Sequence, residues 1–180
     1  LRLLHQKGIE IILASGRMRA TMVPTWQTLG LPCWVIAYNG AQIFQAESEP
    51  WQPLHSVRVS KQTYKQVLQL CQQQGIFLNV YTTHGLYGFE PQGNFNWSLV
   101  YSAQTGAVYK RLFSNVTEAP QNGVIKLLAI TPAHQRQALV DNITQEFSKH
   151  CQIIKSNPEF TEFHHPTVNK GNALKIWSAH

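Results

Sequence analysis

The sequence predicts an α/β protein, an incomplete parallel sheet split by a large α+β insertion. Three observations carry this expectation. Ile9 to Ala14 is a nearly continuous apolar run with β-branched residues, the pattern of a strand buried on both faces of a parallel sheet. A helical stretch from about Arg19 to Thr28 and a second short apolar run, Trp34 to Ala37, complete a βαβ spacing. Residues 46–165 then change to a mixture of strands and amphipathic helices before a fresh helix start at Asn169-Lys170. The expected division is therefore 1–45, 46–165 and 166–180.

The elements follow in order. Leu1 to Lys7 reads as helix, with Leu1 and Leu4 on one face and Gly8 where a C-cap belongs. Ser15-Gly16-Arg17 is a strand-to-helix turn, and Pro24 enters or interrupts the helix after it. Tyr38-Asn39-Gly40 ends the second strand, with Gln42 to Phe44 beyond it. Pro50 and Pro53 mark an extended stretch, followed by strand-like Val57 to Val59. Ser60 caps a predicted helix over Lys61 to Gln74, with Tyr64, Val67, Leu68 and Cys71 as its apolar stripe and Gly75 as its stop. Ile76 to Tyr81 and Leu86 to Phe89 are expected strands joined through His84-Gly85, while Asn94 to Thr105 fits no single pattern. Val124 to Ile130 is a clear strand. Thr131-Pro132 then opens a helix with Leu139, Ile143 and Phe147 recurring every fourth residue. Ile153-Ile154 and Phe160 to Phe163 complete a mostly antiparallel middle, and Asn169 caps a final helix through Ala173, Leu174 and Trp177.

Composition bounds the chemistry. The 180 residues carry 15 Lys+Arg against 9 Asp+Glu, a formal charge of +6, and the single aspartate is Asp141. Holding Mg²⁺ beside a phosphate usually takes a cluster of aspartates, so a complete Asp-based phosphoryl-transfer centre is excluded within these residues. The cations are dispersed, with Lys110-Arg111 the adjacent pair, so no stripe suited to nucleic acid is formed. Apolar residues make up 43%, enough for a core, and no apolar run approaches the ~18 residues of a membrane span. Cys33, Cys71 and Cys151 are widely spaced and read as buried thiols of a reducing compartment, so a cytoplasmic location is expected.

Ligands of parallel sheets sit off the carboxyl ends of the strands, where Ser15-Gly16-Arg17 and Asn39-Gly40 both fall. A hydroxyl and free backbone N–H groups at Ser15 suit an anionic oxygen, and Arg17 adds a cation. The same tripeptide also serves as an ordinary turn, and Asn39-Gly40 is a common turn dipeptide. Lys170 opens a helix, where the dipole disfavours a cation by a few tenths of a kcal/mol, so an anion nearby or a head turned into water would account for it. Glu162, His164 and His165 invite a metal reading, but His164 and His165 point apart on a strand and no further ligand is spaced nearby. Tyr87, Phe89, Phe95, Trp97 and Tyr101 suit a core or substrate rim better than a nucleic-acid platform.

Taken together, ILASGR at Ile12 to Arg17, YNGA at Tyr38 to Ala41 and EFHHPTVNKGNALK at Glu162 to Lys175 resemble the haloacid dehalogenase superfamily, in particular its Cof-type, sugar-phosphatase-like branch. The resemblance implies a partial Rossmann-like core carrying a large inserted α+β cap. It also implies a Mg²⁺-dependent phosphatase of small phosphorylated metabolites that works through a phospho-aspartate. On it, Ser15 and Lys170 match the residues that hold the transferring phosphoryl group, Gly16 and Arg17 continue the Ser15 motif, and Asn39 and Gly40 match the loop lining the site beneath the cap. Glu162 and His164 would lie at the cap hinge.

The departure is equally plain: the Asp-x-Asp and Gly-Asp motifs that such an enzyme needs are not among these residues, and Asp141 matches neither. The expectation is a fragment, inactive alone, of an enzyme that acts on a small phosphorylated substrate, with no nucleic acid or membrane as partner. The competing expectation is a non-catalytic ligand-binding or regulatory module.

Overall fold

The computed structural model describes residues 1–47, 51–93, 96–147 and 150–180, with residues 142–147 as helix backbone alone. Pro50, Phe95 and the side chains of Ile143 and Phe147 lie outside the described residues. The chain forms two compact units, residues 1–57 with 167–180, and residues 58–166. The division falls after Val57, later than the composition change near residue 45. The strand Gln42–Ala46 turns back into Pro53–Ser56 as an antiparallel hairpin, so residues up to 57 stay with the first sheet.

The first unit contains α1 (Arg2–Gln6), β1 (Ile12–Ala14), α2 (Arg19–Leu29), β2 (Cys33–Ala37), a 3₁₀ turn (Tyr38–Gly40), β3 (Gln42–Ala46) and β4 (Pro53–Ser56). These strands pair in the order β1-β2-β3-β4, parallel at β1/β2 and antiparallel from there. The expected βαβ unit is present. Its first strand is shorter and wetter than the apolar run suggested. Ile9 and Glu10 are exposed, and Ile12 and Leu13 are half-buried, because β1 has β2 on one edge and no strand on the other among the described residues.

Strand β4 occupies Pro53–Ser56, not the expected Val57 to Val59. A proline is tolerated there because β4 is an edge strand and the missing N–H costs no ladder bond. Val57 instead makes a single bond to the Ala41 carbonyl at 2.8 Å.

The period-2 alternation of β2 and β3 sorts side chains to two faces. On one, Ile36 and Ile43 pack with Ala173, Ile176 and Trp177 of the last helix, α6 (Lys170–Ser178). On the other, Phe44 meets Trp51, whose ring stands edge-on to Trp26 of α2 at 5.4 Å. The first sheet is therefore covered by α6 and α2 on opposite sides.

The second unit holds α3 (Lys61–Gln74), β5 (Phe77–Thr82), β6 (Gly85–Phe89), α4 (Trp97–Thr105), β7 (Tyr109–Phe113), β8 (Val124–Ile130), α5 (Arg136–Phe147), β9 (Gln152–Asn157) and β10 (Phe160–His164). Its sheet runs β7-β6-β5-β8-β10-β9, antiparallel except at β6/β7. Helix α3 matches its sequence bounds because both ends are locally encoded. The Ser60 hydroxyl accepts from Thr63 N–H, and Gly75 takes the left-handed C-cap.

The core buries Val67, Leu68 and Cys71 of α3 against Leu78, Val80, Leu127 and Phe163 of the sheet. Helix α5 begins four residues later than Pro132 suggested, since Pro132 to Gln135 first closes a separate turn (Gln135 N to Pro132 O, 2.9 Å). None of the described helices is long and apolar enough to cross a membrane.

Candidate functional site

The turn after β1 is built on backbone bonds to the neighbouring strand. Ser15 N–H donates to Ile36 O at 2.9 Å, Asn39 N–H donates to Ser15 O at 3.0 Å, and Tyr38 N–H donates to Arg17 O at 3.0 Å. The Ser15 hydroxyl oxygen accepts from Arg17 N–H at 3.2 Å, which leaves its proton for an outside acceptor. Gly16 packs against the Asn39 side chain: a Cβ there would lie 2.7 Å from Asn39 Oδ1, so any larger residue would have to displace that amide. So Ser15, Gly16 and Asn39 form one contact.

The backbone across this contact is strained. Tyr38 has φ 50° and Asn39 φ 59°, the non-glycine residues with positive φ among those described. Left-handed backbone costs about 1–2 kcal/mol for an L-residue and is held only where the surroundings over-determine it. Asn-Gly signalled a turn in the sequence, but nothing signalled that buried Tyr38 would share it. Burial raises the Tyr38 hydroxyl above its ordinary pKa, against an opposing pull from Arg19.

Gly40 then joins this turn to α6. Its φ is +110°, and a Cβ on it would fall 2.5 Å from the Asn169 carbonyl oxygen and 2.8 Å from the carbonyl carbon. Asn169 caps α6 as expected, its Oδ1 accepting from Asn172 N–H at 2.7 Å. Lys170 is the next residue and is exposed, as is Arg17. Ser15–Arg17, Asn39–Gly40 and Asn169–Lys170 are thus gathered at one end of the first unit, within direct or next-residue reach. Among the described residues, neither Lys170 nor Arg17 forms an ion pair. A groove of about 260 Å³ beside Gly40, lined by Val168, Ala173 and Ile176 among others, is mostly apolar. It is not lined by Ser15, Arg17 or Lys170.

The other polar group that the sequence raised resolves differently. Glu162 and His164 are two apart on β10 and share a face, and Lys126 of β8 meets them there. Glu162 Oε2 lies 2.9 Å from Lys126 Nζ and 3.1 Å from His164 Nε2, while Ser156 donates to Oε1 at 2.8 Å. All three are buried, at 4% (Lys126), 6% (Glu162) and 0% (His164) exposure. The Tyr81 ring lies 5.2 Å from Lys126 Nζ. Burial alone would raise the Glu162 carboxyl, but His164, Lys126 and Ser156 outweigh it and bring it down to about 2. His164 is held below its ordinary value by burial first and by the Lys126 charge, despite its bond to Glu162. Among the described residues, no cluster of His, Cys, Asp and Glu has metal-site geometry. The missed signal was Lys126 itself, a lone cation inside the apolar run VIKLLAI.

Comparison with known proteins is consistent along the chain. The profile of the haloacid dehalogenase-like hydrolase family matches residues 1–180. A Streptococcus pyogenes serotype M6 protein named "Putative phosphatase M6_Spy0533" is 27% identical over 176 residues, covering 94% of this chain and 62% of its own length. Bacillus subtilis phosphatase YwpJ is 26% identical over 87 residues, 48% of this chain and 30% of its own.

Among solved structures, TM0651 from Thermotoga maritima superposes with a TM-score of 0.81 at 21% identity, covering 97% of this chain and 63% of its own. BT4131, described as a subclass IIB sugar phosphatase, superposes with a TM-score of 0.79 at 19% identity, covering 99% and 65%. The chain thus spans under two thirds of the length of each of these four proteins.

Two outcomes follow from the geometry. Gly40→Ala should lower the unfolding free energy by about 3 kcal/mol, since backbone atoms cannot yield as a side chain would. Gly30→Ala in the same unit, at φ +63° with the flexible Arg2 side chain at 3.3 Å and the Gln27 carbonyl oxygen at an ordinary 3.9 Å, should cost about 1 kcal/mol. Equal losses in urea titrations of the two variants would refute the close approach.

The second outcome concerns pH. His164 has a lowered folded pKa, so the unfolded chain binds its proton first and stability is lost as pH falls below about 6.5, by at most ~1.4 kcal/mol per unit. Glu162, also lowered, adds a second loss below about pH 4.5. Denaturation between pH 7 and 5 should show the first slope, and His164→Gln should flatten it.

Proposed function

The chain belongs to the haloacid dehalogenase-like hydrolase family, and from that membership we propose that it is the phosphate-holding part of a phosphatase for small phosphorylated metabolites, sugar phosphates foremost. The observation that carries the reading is the gathering of Ser15, Asn39-Gly40 and Lys170 at one end of the first unit. A transferring phosphoryl group spreads negative charge over its oxygens and needs fixed donors and cations around them. Ser15 offers a hydroxyl proton held in place by its own turn. Lys170 offers an exposed ammonium, without an ion pair among the described residues, at a helix N-terminus where the dipole adds to the positive field. Arg17, two residues beyond Ser15, supplies a second cation for the substrate. The phosphatase name of the Streptococcus relative and the sugar-phosphatase description of BT4131 support the substrate class.

The chemistry of this family takes Mg²⁺ and an aspartate nucleophile, and the residues here do not fit that part. Mg²⁺ is held through carboxylates. The one aspartate, Asp141, is on α5 of the second unit, and the described acids of the first unit are Glu10 and Glu47. Glu10 is exposed and accepts from Trp34 Nε1 at 3.2 Å. The share of catalysis assigned to this chain is therefore binding and charge stabilisation, with attack and metal binding left to carboxylates that it does not contain.

Residues 1–180 alone should not hydrolyse p-nitrophenyl phosphate with Mg²⁺ above a no-enzyme control. A longer protein that adds the missing aspartate motifs should. In that protein Ser15→Ala and Lys170→Ala should each lower kcat/KM by about 10²–10³. Turnover by residues 1–180, or full activity in both variants, would sink the reading.

A further inference from the structure

We propose that Tyr38 is a positioning residue of the phosphatase, one that acts through Ser15 by clamping the turn between β1 and α2. The inference rests on the phosphatase reading and adds to it a residue outside those that hold the phosphoryl group. Tyr38 is an unfavourable choice for its own backbone. Its φ of 50° costs an L-residue about 1–2 kcal/mol, and a bulky ring suits that region less well than asparagine or glycine. Tyr38 is nevertheless 4% exposed, so the fold keeps a large side chain inside the unit at a strained position.

Two contacts account for it. The Tyr38 N–H donates to the Arg17 carbonyl at 3.0 Å, which fixes the far side of the turn that begins at Ser15. The Tyr38 hydroxyl accepts from the Arg19 backbone N–H. Arg19 opens α2, and the first N–H groups of a helix have no partner within it. Met18 stands at the N-cap and makes no side-chain cap bond, since a thioether is at best a weak acceptor. The Tyr38 oxygen is therefore a cap delivered from the turn after β2. The Arg19 guanidinium, held on the Trp51 carbonyl at 3.2 Å, bears on the same oxygen.

The bonds of Ser15 lie between these two contacts. Arg17 is held on its carbonyl side by Tyr38 and donates its own N–H to the Ser15 hydroxyl oxygen at 3.2 Å. Asn39, the neighbour of Tyr38, donates to the Ser15 carbonyl at 3.0 Å. A shift at residue 38 is thus passed to Ser15 from both sides. Misplacing a catalytic group by about 1 Å can cost on the order of 10²-fold in rate. Buried as it is, Tyr38 acts through Ser15 without touching substrate.

Tyr38→Phe removes the hydroxyl and keeps the ring. In residues 1–180, amide exchange followed by NMR should quicken about tenfold at Arg19, Tyr38 and Asn39, with Leu127 of β8 unchanged. In the longer protein that adds the aspartate motifs, the variant should lower kcat for p-nitrophenyl phosphate at least about fivefold and leave KM within about twofold. Circular dichroism should show it folded at the assay temperature. In a Ser15→Ala background the same substitution should change kcat by less than about twofold, because its effect runs through the missing hydroxyl. A merely structural role would give equal losses in both backgrounds.

Unchanged exchange at the three amides would overturn the clamp. Unchanged kcat in Tyr38→Phe, or an equal loss with and without Ser15, would overturn the positioning role while the phosphatase reading stands. Absence of turnover in the longer protein, or full activity in Ser15→Ala, would overturn that reading and the positioning role with it, leaving exchange to decide the clamp alone.

Discussion

The first unit depends on the absence of a side chain at Gly40. Where a Cβ would stand, the Asn169 carbonyl carbon and oxygen pass instead. This approach ties the turn after β2 to the start of α6, two segments with the whole second unit between them in sequence. The turn that it anchors also holds the Ser15–Arg17 segment. Tyr38 and Asn39 hold left-handed backbone, and their N–H groups reach back to Arg17 and Ser15. The cost of two such residues, about 1–2 kcal/mol each, is offset by burial of Ile36, Ile43 and Ala173 beneath α6. A turn without that packing would relax, and the chain of contacts from Ser15 through Asn39 and Gly40 to Asn169 would be lost.

The second unit has a different constraint. The α3-covered face of its sheet is apolar, whereas the other face, where Tyr101 of α4 meets Tyr81, buries Lys126, Glu162 and His164. The β8/β10 register pairs Glu162 with Leu128, so Lys126 is its diagonal neighbour and stands across from His164. A buried ion pair rarely adds net stability, because desolvation offsets most of the attraction. What it does set is the penalty for error. A one-residue slip between β8 and β10 would leave two charges buried without partners, at several kcal/mol. The cluster therefore fixes register, and it tolerates His164 only as a neutral ring, since a second cation beside Lys126 would have no carboxylate of its own.

What the sequence disclosed divides along the same line. Features encoded within a few residues were legible: the Ser60 and Asn169 caps, the Gly75 stop, the Ser15-Gly16-Arg17 turn and the Asn39-Gly40 turn. Each is a local hydrogen bond or a local backbone requirement. Features that depend on a partner strand were not. Strand β4 is set by pairing with β3, so its position moved away from the apolar Val57 to Val59 to the less strand-like Pro53–Ser56. Strand β7, with Lys110 and Arg111 exposed at the edge of the sheet, has no apolar alternation to betray it. Helix α4 went unassigned because its turns mix aromatic and small polar residues without a stripe. The Lys126–Glu162–His164 cluster needed the β8/β10 register, which no single segment contains.

The lone aspartate illustrates why composition and local motif pull apart. Phosphoryl chemistry asks for two kinds of group: donors and cations that hold the oxygens, and carboxylates that attack or bind metal. These need not lie on one stretch of chain, because a parallel sheet collects the ends of its strands at a single edge. In residues 1–180 the groups proposed to hold the oxygens lie after β1, after β2 and at the head of α6, while Asp141 lies in the other unit. Scarcity of acid therefore separates the two tasks within the chemistry and leaves the chemistry itself open. Arg17 and Lys170, which form no ion pair among the described residues, make the same point from the opposite sign. On the proposed reading, an anionic substrate would supply the charge that these two cations lack.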